Sequence, residues 1–199
     1  MGGGRGGRDT RDEPRLVRRV QEGDERAFGL LVERYMEPAY GTALALLGVP
    51  QDAEDAVQNA FIRALERIDQ LQPGSPFGPW FYRVLRSTAL NLRRHEKLRT
   101  HEEIPESAAG GLTDPARHLE RELTREKVLA ALAELPEMQR LAVALFDLEG
   151  YSHGEVAEIL GIAEGTSRAH VHHGRRALRK RLGEAVPAPE EAETDGAEA

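Results

Sequence analysis

The chain has 199 residues, a net charge of −7, 40% hydrophobic and 5% aromatic residues, and no cysteine. The absence of thiols excludes disulfide frameworks, thiolate metal sites and cysteine nucleophiles, and no stretch approaches the roughly 20 apolar residues of a membrane span. With no alternating β-branched pattern, the expectation is an all-α protein of two small helical domains joined by a flexible linker. A basic N-terminus with no apolar run behind it is not expected to be a signal peptide, which points to the cytoplasm.

Residues 1–13 are rich in Gly and Arg and are expected to lack a fold. From Pro14, Leu16, Val17 and Val20 mark a first helix before the turn Glu22-Gly23-Asp24. Ala27, Phe28, Leu31, Val32 and Tyr35 recur at three- and four-residue steps and predict a second. Pro38 is placed at a bend or at the start of a continuation through Tyr40, Ala43, Leu44 and Leu47 to Gly48. Pro50 and the acids that follow open a longer helix, as the helix dipole prefers. Its predicted buried stripe is Ala56, Val57, Ala60, Phe61, Ala64, Leu65 and Ile68, with Asp55, Gln58, Asn59, Arg63 and Glu66 opposite. The acids at its start have no further ligand spaced to complete a metal site.

Residues 70–79 hold too many Pro and Gly for a helix and predict a loop, with a new helix near Trp80. There Phe81, Val84, Leu85, Thr88, Ala89 and Leu92 make the apolar set, leaving Arg83, Arg86, Ser87, Asn91, Arg94 and Lys97 for other faces. Phe77 and Trp80 suit either core filling or stacking on a base. A loop followed by a basic helix is what gripping unpaired DNA requires. Residues 14–99 thus form one module, 100–117 a polar linker, and 118–183 a second module. In the latter, Leu119, Leu123, Val128, Leu129, Leu132 and Leu135 lead to Pro136, and a short apolar helix follows over 139–148.

Residues 149–182 read as a helix-turn-helix. Ser152 and Glu155 form an S-x-x-E capping box. Val156, Ile159 and Leu160 follow at helical spacing, Gly161 supplies a positive φ, and Gly165-Thr166 opens a second helix with Val171, Leu178 and Leu182 inward. Arg168, His172, Arg175 and Arg179 share one side of it. A cationic helix after a tight turn suits the DNA major groove. His170 and His173 stand one turn apart, but a third ligand is missing and no metal is expected.

The net charge conceals a segregation. Residues 80–101 hold six Lys or Arg against one acid, residues 166–183 six against none, and residues 184–199 six acids and no cation. Contacts to phosphate are local, within about 10 Å at 0.1 M salt, so the patches matter more than the sum. The acidic tail is read as solubilising or as a competitor for the cations of the second module.

Four phrases, AFGLLVERYMEPAYGTALALLG, DAEDAVQNAFIRAL, PFGPWFYRVLRSTALNLRR and ELPEMQRLAVALFDLEGYSHGEVAEILGIAEGTSRAHVHHGRRALRKRL, resemble in their order the extracytoplasmic-function group of bacterial RNA polymerase sigma factors. The resemblance implies a sigma factor, without cofactors and not an enzyme, that binds core polymerase and directs promoter-specific initiation. It implies that the first module, region 2, meets the β′ clamp helices through Asp55, Gln58, Asn59 and Arg63. The same module would recognise and open the -10 element with Leu71, Gly74, Ser75, Trp80, Arg83, Ser87, Asn91 and Arg94. The second, region 4, would rest on the β flap, presenting Thr166, Arg168, Ala169, His172 and His173 to -35 bases and Arg175, Arg176 and Arg179 to phosphates. The linker would thread near the active-site channel and the RNA exit path.

The implied partners are core polymerase and promoter DNA, with an anti-sigma factor admitted, no membrane insertion, and nucleoid association when polymerase is bound. The other reading is a helix-turn-helix regulator acting without polymerase, against which DAEDAVQNAF and WFYRVLRS argue. Several positions depart from the family pattern. Asn59 stands where Glu or Asp is usual and Ser87 where Asn is frequent. Ser167, His170, His173 and Gly174 replace Val, Arg, Arg and Ala, and Gly174 is expected to cost about 1 kcal/mol of helix stability relative to Ala.

Overall fold

The computed structural model describes residues 10–99 and 115–183, with side chains at 10–94 and 124–183. Residues 1–9, the linker segment 100–114 and the acidic tail, with the roles expected of them, lie outside the described residues; the end of the start expected to lack a fold is instead ordered, Asp12 standing at the N-cap of α1 and Glu13 in its first turn. All regular structure among the described residues is helical: α1 Glu13–Gln21, α2 Glu25–Leu47, α3 Pro50–Glu66, α4 Phe77–Arg99, α5 Pro115–Ala133, α6 Glu137–Val143, α7 His153–Leu160 and α8 Glu164–Leu182. A 3-10 turn at Ile68–Gln70 follows α3, and a π-helical turn at Ala144–Leu148 extends α6.

Helix ends follow from particular residues. Asp24 caps α2 by accepting from the backbone N–H of Arg26 and Ala27, and Arg19 Nη2 donates to the same carboxylate at 2.6 Å. That side-chain bond is the main cause holding the Asp24 carboxyl below its ordinary range. Pro38 does not restart α2, which runs through it as one helix to Leu47 and is capped by Gly48 at φ 80°. Helix α4 begins at Phe77, ahead of the predicted Trp80, because Gly78 and Pro79 fall in its first turn, where backbone N–H groups have no helical acceptor anyway. Helix α5 begins at Pro115, inside the last residues of the expected linker.

In the first module, α1, α2 and α4 are tied by a carboxylate the sequence did not single out. Glu13 is 1% exposed and accepts from Tyr35 Oη at 2.7 Å and from the Phe77 N–H at 3.2 Å. Gln21 then fixes the loop after α3, its Nε2 donating to the carbonyls of Ile68 and Leu71, both at 2.9 Å. The expected stripe of α3 is buried with one exception. Leu65 is 46% exposed, one position off the buried face and directed to a groove beside α2.

The modules are separate in sequence but share one core. Leu31, Tyr35, Phe81 and Leu85 of the first pack in the same apolar cluster as Leu141, Leu145, Val156, Ile159 and Leu160 of the second. Polar pins reinforce the seam. Glu149, just before α7, accepts from Tyr82 Oη at 2.7 Å and from Thr42 Oγ1 at 2.9 Å. Tyr151 packs edge-on against Tyr82, with ring centroids 5.5 Å apart, and its hydroxyl lies where a Cβ on Gly78 would project. Arg140, 5% exposed, donates from Nη1 to the Leu46 carbonyl at 2.8 Å and from Nη2 to the carbonyls of Ala133 and Leu135.

Arg140 therefore closes α5 and ties it to the end of α2, and no apolar side chain replaces those donors. Arg140→Met leaves buried carbonyls unpaired and lowers stability by about 3 kcal/mol. Urea unfolding measures this, and a loss below about 1 kcal/mol contradicts the role.

Candidate nucleic-acid interface

The helix-turn-helix forms as its sequence predicts. Ser152 Oγ accepts from the Glu155 N–H, Glu155 Oε2 accepts from the Ser152 N–H at 2.8 Å, and Gly161 adopts φ 70°. Helix α8 starts at Glu164 with Ala163 as its cap, one residue before the expected Gly165. Ser167, Val171, Gly174 and Leu178 face inward. Thr166, Ala169, His172, His173, Arg176 and Lys180 are exposed and form the outward face.

The predicted row Arg168, His172, Arg175 and Arg179 is therefore not uniformly presented. Arg168 is exposed and pairs with Glu164 one turn earlier. Arg175 is a flank residue with 14% of its side chain accessible. Its guanidinium pairs with Asp147, Nε–Oδ2 2.9 Å, and lies 5.0 Å over the Phe146 ring. The bond to Asp147 is the first cause raising its pKa further above the ordinary arginine value. Arg179 is half-buried, and its Nε has no acceptor. Of the three residues expected at phosphates, Arg176 alone is exposed.

Gly174 reverses the expectation attached to it. A Cβ there would stand 2.6 Å from Val143 Cγ2 and 3.3 Å from the Gln139 carbonyl, so glycine is what lets α8 approach α6. Close packing outweighs the propensity of about 1 kcal/mol that favours Ala. Gly174→Ala should destabilise by about 1–3 kcal/mol, as overpacked cores do. A raised thermal midpoint in calorimetry rejects this.

One histidine that the sequence reading passed over is perturbed. His153 stacks on Phe146 with centroids 4.2 Å apart, and its Nδ1 lies 3.5 Å from Ser167 Oγ. Burial is the first cause lowering its pKa, and the Arg168 charge is the second. Glu164 and Asp147 oppose the shift, while Arg175 adds to it. The unfolded ring titrates near 6.5, so between the folded value and about 6.5 the unfolded state binds more protons and stability rises with pH. The stabilisation is complete above about 6.5 and is lost as pH falls toward the folded value. Comparing urea midpoints at about pH 5.5 and about pH 7.5 measures the slope, which His153→Phe removes; an unaltered slope refutes the assignment.

The second cationic surface lies on α4. Trp80, Arg83, Ser87, Asn91 and Arg94 share one strip that is exposed or half-buried, while Phe81, Leu85, Thr88 and Ala89 are buried. Phe77 is wholly buried and stacks on Phe81, so it fills the core. Trp80 is half-buried beside Phe77. In the preceding loop Gly74 adopts φ 86° and, with Ser75, is accessible. Leu71 is a correction: its side chain is 4% exposed, because Gln21 draws the loop into the core, so it anchors the loop and presents nothing to a nucleic acid. Arg83 reaches the second module, Nη1 to Glu158 Oε1 of α7 at 3.1 Å.

On α3, Asp55, Gln58 and Asn59 are exposed, and Asn59 Nδ2 donates to the Asp55 carbonyl of its own helix at 2.8 Å. Arg63 is half-buried and turned toward α4, 3.4 Å from Thr88 Oγ1. Beside this polar edge runs an apolar groove of about 810 Å³ between α2 and α3, with Met36, Ile62 and Leu65 at its rim. Sequence periodicity assigned Leu65 to the core and so gave no sign of the groove. Among the described residues no group of three or more His, Asp or Glu is placed to hold a metal ion, and no helix is long and apolar enough to cross a membrane.

Comparison with known proteins places both surfaces in one family. Residues 31–99 match Sigma-70 region 2, and residues 125–178 match Sigma-70, region 4. The ECF RNA polymerase sigma-E factor of Escherichia coli (strain K12) is 33% identical over 178 residues, spanning 84% of this chain and 92% of that protein. The RNA polymerase sigma-H factor of Pseudomonas aeruginosa is 31% identical over 180 residues, spanning 85% and 93%. The sigma factor RpoE of Bartonella quintana, solved with the anti-sigma factor NepR, superposes with a TM-score of 0.62 at 25% identity, covering 79% of this chain and 98% of that one. CnrH, solved with the cytosolic domain of CnrY, superposes at 0.68 with 23% identity over 85% and 96%, a likeness of fold. With both regions matched in order and the relatives covered almost end to end, the chain belongs to the extracytoplasmic-function sigma factors of the sigma-70 family, non-enzymatic subunits that bind RNA polymerase and direct promoter-specific transcription.

Proposed function

We propose that the two exposed cationic surfaces divide the promoter between them. The outward face of α8 reads the -35 element: Thr166, Arg168, Ala169, His172 and His173 meet base edges, and Arg176 meets phosphate. Arg175 and Arg179 play a smaller part, being half-buried at the flank. The strip Trp80, Arg83, Ser87, Asn91 and Arg94, with the Gly74-Ser75 loop, handles the -10 strand. Asp55, Gln58, Asn59 and the groove rim beside them meet the polymerase clamp, with Arg63 a lesser contributor. Residues 14–99 serve as region 2 and the helices from α5 onward as region 4, resting on the β flap, with the linker between them ending where α5 begins at Pro115. The observation that carries this reading is the presence of two separate cationic strips, on two helices of opposite modules, in a chain of net negative charge.

Such a protein works in the cytoplasm and is held on the nucleoid when polymerase is bound. Since the similar RpoE was solved with the anti-sigma factor NepR, an anti-sigma factor is a fitting partner here. The packed arrangement itself is a resting form. Arg83 of the -10 strip is engaged by Glu158, and α7 packs against α4, so parting of the modules would free Arg83 for the -10 strand.

Run-off transcription with core polymerase tests the reading as a whole: initiation on some genomic fragments is expected, and none on any would overturn it. Glu149→Gln weakens the pin to Tyr82 and Thr42 by about 1.5 kcal/mol and should raise promoter-complex formation about tenfold at limiting protein, while slower formation counts against a resting form. Arg176→Ala should weaken -35 DNA binding to a similar degree on all sequences and reduce the salt slope by about one. A loss confined to one base position would make Arg176 a base reader instead.

A further inference from the structure

One cationic cavity shares only Arg94 with the promoter-facing strip. It lies where the modules meet, encloses about 540 Å³, and has Arg86, Arg93 and Arg94 of α4 on one side and Glu137 and Arg140 of α6 on the other. Among the described residues the lining holds four guanidinium groups and one carboxylate, an excess of three positive charges. The carboxylate cannot balance them. Glu137 stands 3.9 Å from Arg86 Nη2 and 3.9 Å from Arg93 Nη1, outside hydrogen-bond range of both.

The donors are likewise in surplus. Among the described residues Arg86 Nε is buried without an acceptor, and its Nη2 has the Met138 sulfur at 3.6 Å and, farther off, Glu137 at 3.9 Å. Arg140 spends both terminal nitrogens on backbone carbonyls and has an unpaired, buried Nε, so it acts as a fixed charge in the floor. All four cations are arginines, whose planar forks match phosphate oxygens two at a time, whereas lysine offers only a point charge. The volume lies within the range of small-ligand sites and is far too small for a duplex. A single carboxylate would leave most of the excess charge uncompensated, whereas linked phosphates would meet it.

We propose that this pocket binds a small polyphosphate, nucleoside-linked or inorganic, and that the anion, held by α4 on one side and α6 on the other, keeps the two modules together. The idea rests on the packing of the modules and not on the promoter assignments. A ligand that requires both walls favours the packed form by mass action.

Calorimetric titration of the full chain with inorganic triphosphate tests it. One equivalent should bind at micromolar concentration and raise the thermal midpoint. Arg86→Gln and Arg93→Gln should each weaken binding at least about tenfold, and Glu137→Gln should tighten it several-fold, by removing the one carboxylate among the described lining residues. Arg67→Gln removes an exposed charge outside the pocket and should leave affinity unchanged. ATP and GTP, titrated in parallel, assign the source: tighter binding than triphosphate names a nucleoside polyphosphate, and equal binding an inorganic one. No heat at millimolar triphosphate overturns the proposal, as does an equal loss in Arg67→Gln, which would mark diffuse attraction. Circular dichroism of each variant separates loss of binding from loss of fold. Promoter-complex formation with core polymerase, measured without any polyphosphate, tests the sigma reading on its own, so the failure of one is not mistaken for the failure of the other.

Discussion

The constraint on which the arrangement depends is that neither module buries its apolar surface alone. Chains of this size are marginal when each part must build a separate core. The seam between α2, α4, α6 and α7 joins both into one cluster. Glu149 fixes the register of that seam, because its two oxygens accept from hydroxyls on two different helices of the other module. Apolar contact is tolerant of sliding; a carboxylate shared by Tyr82 and Thr42 is not.

Much of this was legible in the sequence where the signal was local. The capping box at Ser152, the left-handed Gly48 and Gly161, and the proline start of α3 are decided by neighbours within a few residues. What could not be read was which polar groups would be buried by distant parts of the chain. Glu13 sits at a helix start, where an acid is ordinarily solvated, yet it is enclosed by Tyr35 and Phe77 from well down the chain. Arg140 lies in a segment read only as a short apolar helix, yet its guanidinium holds three carbonyls. Periodicity placed Leu65 in the core because it reports the face a helix offers, not whether another element comes to cover it.

The candidate site shows the same division. The cationic faces of α4 and α8 were visible as runs of Lys and Arg with almost no acid among them, but the share of each arginine left free depends on tertiary partners. Asp147 and Phe146 withdraw Arg175, and Glu158 withdraws Arg83. Gly174 was misread for a related reason: helix propensity is a property of one helix, whereas the missing Cβ is required by a second helix packed against it.

The π-helical turn at Ala144–Leu148 sets how this chain tolerates insertions and deletions. The Glu149 N–H bonds to the Ala144 carbonyl at 3.2 Å, five residues back, and so holds one residue more than an ordinary turn. Since a residue turns a helix by about 100°, that extra member aims both Glu149 and Tyr151 at α4. Many substitutions within the turn preserve this aim, but the removal of a single residue swings the acceptor away from both hydroxyls at once. Here the information lies in a count of residues more than in their kinds, and insertions or deletions are the changes this segment is least able to absorb.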